Sequence, residues 1–571
     1  MKPTGQPPYR YSVAFARIAL ISILTCLCCL ASEAADAILL AGRVTSSAGA
    51  ALAGIPVRAQ RENSNIIVTI FSNGRGEHSF PAWSNVSAGT YSVAIVLPDY
   101  ERVQRDAVVL NSGKTARVNF VLQPRQPSHT EATASEIAMA MPGTEEQKHL
   151  LTQCSQCHSL QHALSKARNR AGWLTIVKLM AGAARGAEDP PSSRSFQQKR
   201  YIEPMTDYLT SIRGPGSSDD LPFKLRPRPT DDASTRAVVT EYAIPRGGST
   251  RDLQLIRGNR AFAWPHDVLP DPNGKYVWYI DQAAPVLGRV DIKTGEVKEF
   301  DYESAPQGGW VRQTRNPWDD YPGIGGHDIA FDPEGNIWVS KGGGGGKSMR
   351  FDAKTETFTY FPGSTFIGVG PTGAISYFKG RTLYRLDPKT GDVKNYGDSP
   401  NVPGYDYEAD SKDRLIYGGW RSSFIGVFDP RTEKFTEYPT PTPGSGPRRG
   451  DIDSKDRYWT SLYWAGRIAV FDPNNGQIKE FPLIPDVKPY GAPYLAPYRV
   501  SVDNKHQLAW TTDFNSSRLY RFDIKTEKTT EYYMPLPFEA RDIKADNHAD
   551  RQTVWFPAYR PPSKVVRVEV W

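Results

Sequence analysis

The sequence predicts a mainly β multidomain chain: a β-sandwich, a small all-α domain and a seven-bladed β-propeller, in that order. Three observations carry this. Residues 38–123 alternate apolar and polar with a turn signal about every ten residues, residues 138–213 carry helical stripes around "CSQCH", and from 238 onward one unit recurs about every 40 residues. With 571 residues, 48 Gly and 46 Pro against 39% hydrophobic residues, the chain is too long for one core and rich in turns.

Residues 1–35 read as a signal peptide. Lys2, Arg10 and Arg17 precede the apolar run "IALISILTCLCCLA" and the small-residue stretch "SEAADA", and cleavage is expected between Ala34 and Ala37. The run falls short of the about 20 residues that cross a bilayer. A periplasmic or secreted protein with no membrane span after signal removal is therefore expected. Cleavage lowers the formal charge from +7 to about +5, and no basic cluster with interleaved aromatics marks a nucleic-acid surface.

In residues 38–123 the segments "LLAGRVTSS", "GIPVRAQ", "NIIVTIFS", "GTYSVAIVL" and "ARVNFVLQP" read as strands of a sandwich. Their order resembles carboxypeptidase regulatory-like domains, which implies a spacer or adhesion module rather than a catalytic one. A polar linker, 124–137, follows.

Signal removal leaves Cys154 and Cys157 as the only cysteines, in "QCSQCHSL". A zinc site needs about four ligands and no second Cys/His pair is present. A redox disulfide of this spacing expects a βαβ context, and the flanks here are helical. Two thiols three positions apart suit the two vinyl groups of one covalent haem c, and His158, next in sequence, is placed to ligate its iron. Residues 138–213 resemble a small class I-like cytochrome c domain, with "EEQKHLLTQCSQCHSL", "AGWLTIVKLMAG" and "YIEPMTDYLTSIRG" as its helices. By spacing, Met180 and Met205 each sit on an apolar helical stripe. The resemblance favours Met180 as sixth iron ligand, through its "W-x-x-x-V-x-x-M" helix, over Met205, His162 or water.

After a linker, 214–237, seven segments superpose, among them "HDVLPDPNGKYVWYID", "HDIAFDPEGNIWVSK" and "RRGDIDSKDRYWTSL", each read with its following hairpins as one four-stranded blade. "VVTEYAIP" at 238–245 is available as the outer strand that closes the last blade. The run "KGGGGGKS" departs from a phosphate-binding loop, because Lys341 stands where glycine is needed and a strand follows, so it reads as a turn.

The recurring "D-x-x-G-x-x-W" turns, the "G-R-x-D-x-x-T-G-x-V-x-E-F" hairpins and the "P-H-D-V" and "G-H-D-I" strand starts make 238–571 resemble the virginiamycin B lyase family. That resemblance implies magnesium-assisted β-elimination on a cyclic depsipeptide, with His266 and His327 at the catalytic strand position. Aligning the other blades puts Thr365, Tyr405, Arg448, Tyr498 and Arg541 at the same level, a polar ring at one mouth suited to an anion or carbonyl. Where the lyases carry a glutamate two residues before such a histidine, this chain has Trp264 and Gly325, and the strand-end residues are Asp281 and Lys341, so the magnesium donors are depleted. A long insertion between blades one and two offers Trp310, Arg312 and Trp318 as a lid.

Two functions follow. An exported cytochrome acts in electron transfer or as a haem-dependent oxidoreductase, with a redox partner protein or small-molecule electron donor and a small-molecule or peptide ligand at the propeller mouth. The alternative is a lyase or a non-catalytic binding propeller. The haem motif is the most specific chemistry in the chain, so the oxidoreductase is favoured.

Overall fold

A computed structural model describes residues 38–156, 159–182, 198–246, 263–302, 325–341, 347–535, 538–559 and 563–571. Residues 1–37, which contain the expected signal peptide, together with Cys157, His158, Trp310, Arg312, Trp318 and the glycine run 342–346, lie outside these residues.

The N-terminal unit is a sandwich. One sheet holds Leu40–Ser46 between Glu77–Ser79 and Ala116–Arg117, with Phe120–Leu122 also paired to it. The other runs in the order Ile66–Phe71, Pro56–Arg61, Gly89–Leu97, Tyr100–Leu110. Alternate residues of Gly89–Leu97 are buried, so Tyr91, Val93, Ile95 and Leu97 meet Leu40, Val44, Val57 and Phe120 in one core. At Gly42 a Cβ would lie 1.9 Å from the Val118 carbonyl oxygen, which leaves room for His78 to bond that oxygen through Nε2 at 2.9 Å.

Burial pushes the His78 imidazole down to about 4. It is therefore neutral when folded and titrates near 6.5 when unfolded, so its contribution to stability is whole above about pH 6.5 and is lost as pH falls towards 4. The loss expected is on the order of 3 kcal/mol. The protection factors of the Leu40–Ser46 amides, exchange rates corrected for the slower intrinsic exchange at acid pH, should fall steeply between pH 7 and 4.5 in the wild type and less so in His78→Gln.

Seven four-stranded antiparallel sheets form the propeller. Six have inner strands at Pro265–Pro270, Gly326–Phe331, Gly368–Val369, Tyr407–Ala409, Pro447–Ile452 and Pro497–Asp503. The seventh is built from Lys544–Ala545, Gln552–Ala558 and Lys564–Val570, and its outer strand is Ala237–Ala243. The repeating motifs have local causes. Asp332 and Asp453 accept from the indole N–H of Trp338 (3.0 Å) and Trp459 (2.9 Å), pinning each buried tryptophan to the turn before it. Asp291 caps its hairpin by accepting from the amides of Lys293 and Thr294.

Ala237–Ala243 also pairs on its far side with Ile66–Phe71, so blade seven and one sandwich sheet form a single eight-stranded sheet. Glu241 anchors the junction to Arg58, 3.0 Å away, and to Lys564. The propeller thus has no open edge at this blade.

Four helices, Ala134–Ala140, Glu145–Thr152, Arg170–Gly182 and Lys199–Arg213, make the third unit around Ile137, Leu151, Trp173, Val177, Met205 and Leu209. Thr133 and Thr144 start the first two with reciprocal caps. This unit sits on the propeller: the Ser135 amide donates to Asn515 O (3.0 Å), Ser135 Oγ to Pro493 O (2.6 Å) and Ser155 Oγ to Asn515 Oδ1 (2.9 Å). The linker between them ties all three units, through Arg226 to Glu531 and Arg228 to Asp99. Among the described residues no helix is long and apolar enough to cross a membrane.

Candidate functional site at the propeller mouth

Six blades bring the expected residues to one place. The inner strands of blades one, two, five and six each carry a bulge near their start, at 265–267, 326–329, 447–450 and 497–500. A bulge sets an extra residue against its partner strand and breaks the strict alternation of faces. Consecutive residues thereby reach the channel in two layers, the expected ring and a second ring one residue further in.

In the upper layer the imidazoles of His266 and His327 lie 4.0 Å apart between centroids. Each holds the next residue's carboxylate through Nδ1, His266 to Asp267 at 2.6 Å and His327 to Asp328 at 2.9 Å. His327 Nε2 meets Tyr405 Oη at 3.0 Å, Tyr405 Oη meets Tyr498 Oη at 3.1 Å, and Arg448 donates to Tyr498 Oη at 2.7 Å. Arg541 stacks on Tyr559, 4.0 Å from its centroid. Thr365 departs from the expected ring, since its carbonyl takes the Ser340 hydroxyl, and Phe366 packs against His327 and Tyr405 in its stead.

These groups are buried, and burial decides their charge. Desolvation, with His327 alongside, holds His266 well below the usual imidazole range, so it is neutral and its Nε2 has no hydrogen-bond partner. Desolvation would also lower His327, but Tyr405 and Asp328 outweigh it and raise its pKa. Tyr405 is pulled down to about 6 because His327, Arg448 and Arg541 outweigh the cost of burying a phenolate. His327 and Tyr405 thus each favour the charged form of the other, and the Tyr498 hydroxyl donates to Tyr405 Oη.

The second ring was not foreseen. Arg449 is paired with Asp267 (2.5 Å), Asp328 (3.2 Å), Asp406 (3.5 Å) and Asp542 (3.9 Å), and Arg499 with Asp406 (3.3 Å), Asp542 (3.4 Å) and Glu408. Two guanidiniums cannot neutralise five carboxylates in a buried space, and burial with neighbouring acids pushes Asp542 up to about 6 and Glu408 up to about 7. The carboxylates also staple blade to blade: Asp542 accepts from Val268 N, Asp328 from Ile367 N and Asp406 from Gly450 N.

Aromatic residues at the ends of the second strands were missed as well. The Arg448 guanidinium carbon lies 3.8–4.4 Å from the ring centroids of Tyr405, Trp420, Tyr463 and Tyr498. The signal that could have revealed them is an aromatic recurring just after the second strand, at Trp420, Tyr463, Phe514 and Tyr559.

At 325 a Cβ would come within 1.8 Å of Asp281 O and 2.1 Å of Ala284 O, so that position cannot carry a glutamate without moving the loop. Trp264 packs on Tyr559. Asp281 faces inward, accepting from the amides of Trp264 (3.0 Å), Ala283 (2.7 Å) and Ala284 (2.9 Å) and paired with Arg246. The lyase-type magnesium donors do not fit here.

In the helical unit Cys154 lies half-buried on the turn Gln153–Gln156, packed, as Ile176 and Met180 also are, against the core of that unit. Met205 is 2% exposed within the core, whereas Met180 is only partly buried at the end of its helix, and His162 is exposed.

No curated protein matches the chain in sequence. Among solved structures, a streptogramin B lyase is 19% identical with a TM-score of 0.46, over 60% of this chain and all of that one. Virginiamycin B lyase from Staphylococcus aureus is 19% identical with a TM-score of 0.44 (54% and 96%), and Kuenenia stuttgartiensis hydrazine synthase 11% with 0.42 (53% and 95%). Residues 40–123 match the carboxypeptidase regulatory-like domain, the family that the strand order of 38–123 resembles.

Proposed function

We propose that this protein is an exported c-type cytochrome whose propeller mouth binds a small anionic substrate and exchanges electrons with a haem on the helical unit. Haem c, held by Cys154 and Cys157 with His158 and Met180 on its iron, would supply a one-electron acceptor. Arg448 and Arg541 would hold the negative end of the substrate, and neutral His266 would accept a proton as electrons leave.

One observation supports this reading above others. His149, five residues before Cys154, presents its ring to Tyr490 (5.4 Å) and Trp464 (6.5 Å); Trp464 stacks on Trp420 (5.9 Å, 16°), Trp420 meets Tyr405 (5.1 Å), and Tyr405 meets His327 (5.1 Å). A run of neighbouring rings therefore leads from the histidine pair to His149, whose Nε2 meets Gln153 Nε2 at 3.2 Å at the start of the cysteine turn.

A second reading, β-elimination by the propeller alone, is favoured by the Asp267–His266 pair, whose neutral imidazole has the form of a general base. The mature chain, produced with haem-maturation machinery, should show haem reduction by a small organic acid from a substrate screen, lost in His266→Ala while dithionite still reduces the haem. Magnesium-dependent ring opening of a streptogramin B without haem reduction would replace the first reading with the second.

A further inference from the structure

We propose that His266, His327 and Tyr405 form a binding site for a late first-row divalent metal such as Zn2+ or Cu2+. This goes beyond the electron-transfer reading and does not need the haem. Among the described residues no group of three His, Cys, Asp or Glu is placed to hold a metal ion, and the third donor here is a phenol.

Each imidazole is oriented by a carboxylate on Nδ1, the arrangement by which proteins fix the tautomer of metal-ligating histidines and raise their basicity. Both Asp267 and Asp328 are themselves held by Arg449, so the two rings are positioned without help from a ligand. The nitrogens not held by a carboxylate are then His266 Nε2, which is wholly buried without a partner, and His327 Nε2, which is bonded to Tyr405 Oη at 3.0 Å. Metal–ligand bonds of 2.0–2.1 Å place neighbouring ligands about 2.9–3.4 Å apart. The His327–Tyr405 separation lies within that range, while the His266 ring, 4.0 Å from that of His327 between centroids, must part from it for both Nε2 atoms to face one ion.

The donor types select the metal. Two imidazoles and a phenolate suit Zn2+ and Cu2+ better than Mg2+, which prefers oxygen ligands and retains water. Three protein ligands leave a coordination position open. Arg448, with Nε and Nη1 unpartnered, and Arg541 flank this site and would balance an anion bound there. The ligand class implied is a small carboxylate or similar oxyanion bridging metal and guanidinium.

The test titrates Zn2+ into the metal-stripped full-length mature chain by calorimetry, and counts zinc retained after gel filtration. One Zn2+ per chain is expected in the wild type and in His506→Ala, a control for the partly buried His506–Asp503 pair. Tyr405→Phe, which keeps the ring and its packing, should weaken binding at least tenfold, and Asp267→Asn about 10–100-fold. His266→Ala with His327→Ala should retain no zinc. Equal retention by the wild type and that double variant, or none by the wild type, overturns the site. Because the haem spectrum is recorded on the same samples, failure here is distinguishable from failure of the cytochrome reading.

Discussion

Arg449→Met is expected to destabilise the propeller by about 3–5 kcal/mol, the cost of breaking a buried ion cluster by removing one partner. The residue is 1% exposed and faces four aspartates from blades one, two, four and seven. Their carboxylates would be left with Arg499 alone, and three of them hold the amides that join neighbouring blades. For a unit of this size the thermal midpoint should fall by about 4–7 °C. The exposed pair Lys298–Glu356 supplies the contrast, since solvent screening limits Lys298→Ala to less than about 1 kcal/mol. Differential scanning calorimetry of both variants checks the pair of values. Equal midpoints would mean that the buried charges are solvated by water and not by one another.

The second large effect concerns the cysteines. In the wild type, colour and peroxidase staining are expected to survive denaturing electrophoresis, because thioether bonds outlast unfolding. Cys154→Ala with Cys157→Ala should lose both entirely. Met180→Ala should keep the colour but lower the reduction potential and remove the sulfur-to-iron charge-transfer band, whereas Met205→Ala, in the core, should leave the band and cost about 2–5 kcal/mol of stability. Haem that acid-acetone extracts from the wild type would end the covalent assignment.

Much of this architecture was legible because its causes are local. A tryptophan six residues after an aspartate, as in Asp332 and Trp338, needs one turn and one hydrogen bond, and the same bond recurs between Asp453 and Trp459. Alternation likewise exposed the sandwich strands. The mouth was legible only in its upper layer. His266, His327, Tyr405, Arg448, Tyr498 and Arg541 could be aligned by blade, but Asp267, Asp328, Arg449 and Arg499 follow them directly, and strict alternation assigns neighbours to opposite faces. Bulges override that rule, and nothing in a short strand announces one. Phe366 replaced Thr365 for a related reason: the inner strand of blade three is only Gly368–Val369, too short to impose the register of its neighbours. The docking of the helical unit through Ser135 and Ser155 was hidden because its partners, Pro493 and Asn515, lie more than 350 positions away.

The strand Ala237–Ala243 has a consequence for the order in which the molecule assembles. Its propeller partner, Lys564–Val570, is the last strand of the chain, so during synthesis or export this half of the pairing must wait for more than 300 residues to appear. Its other partner, Ile66–Phe71, has by then already emerged. The sandwich can therefore hold the strand in register as a template while six blades form, covering one hydrogen-bonding edge that would otherwise invite pairing with another chain. Ring closure becomes the addition of the final hairpin to a strand already in place. Chains lacking residues 38–123 should reach the same closed ring more slowly and lose more material to aggregation on the way, a kinetic duty for a domain that contributes no residue to the mouth.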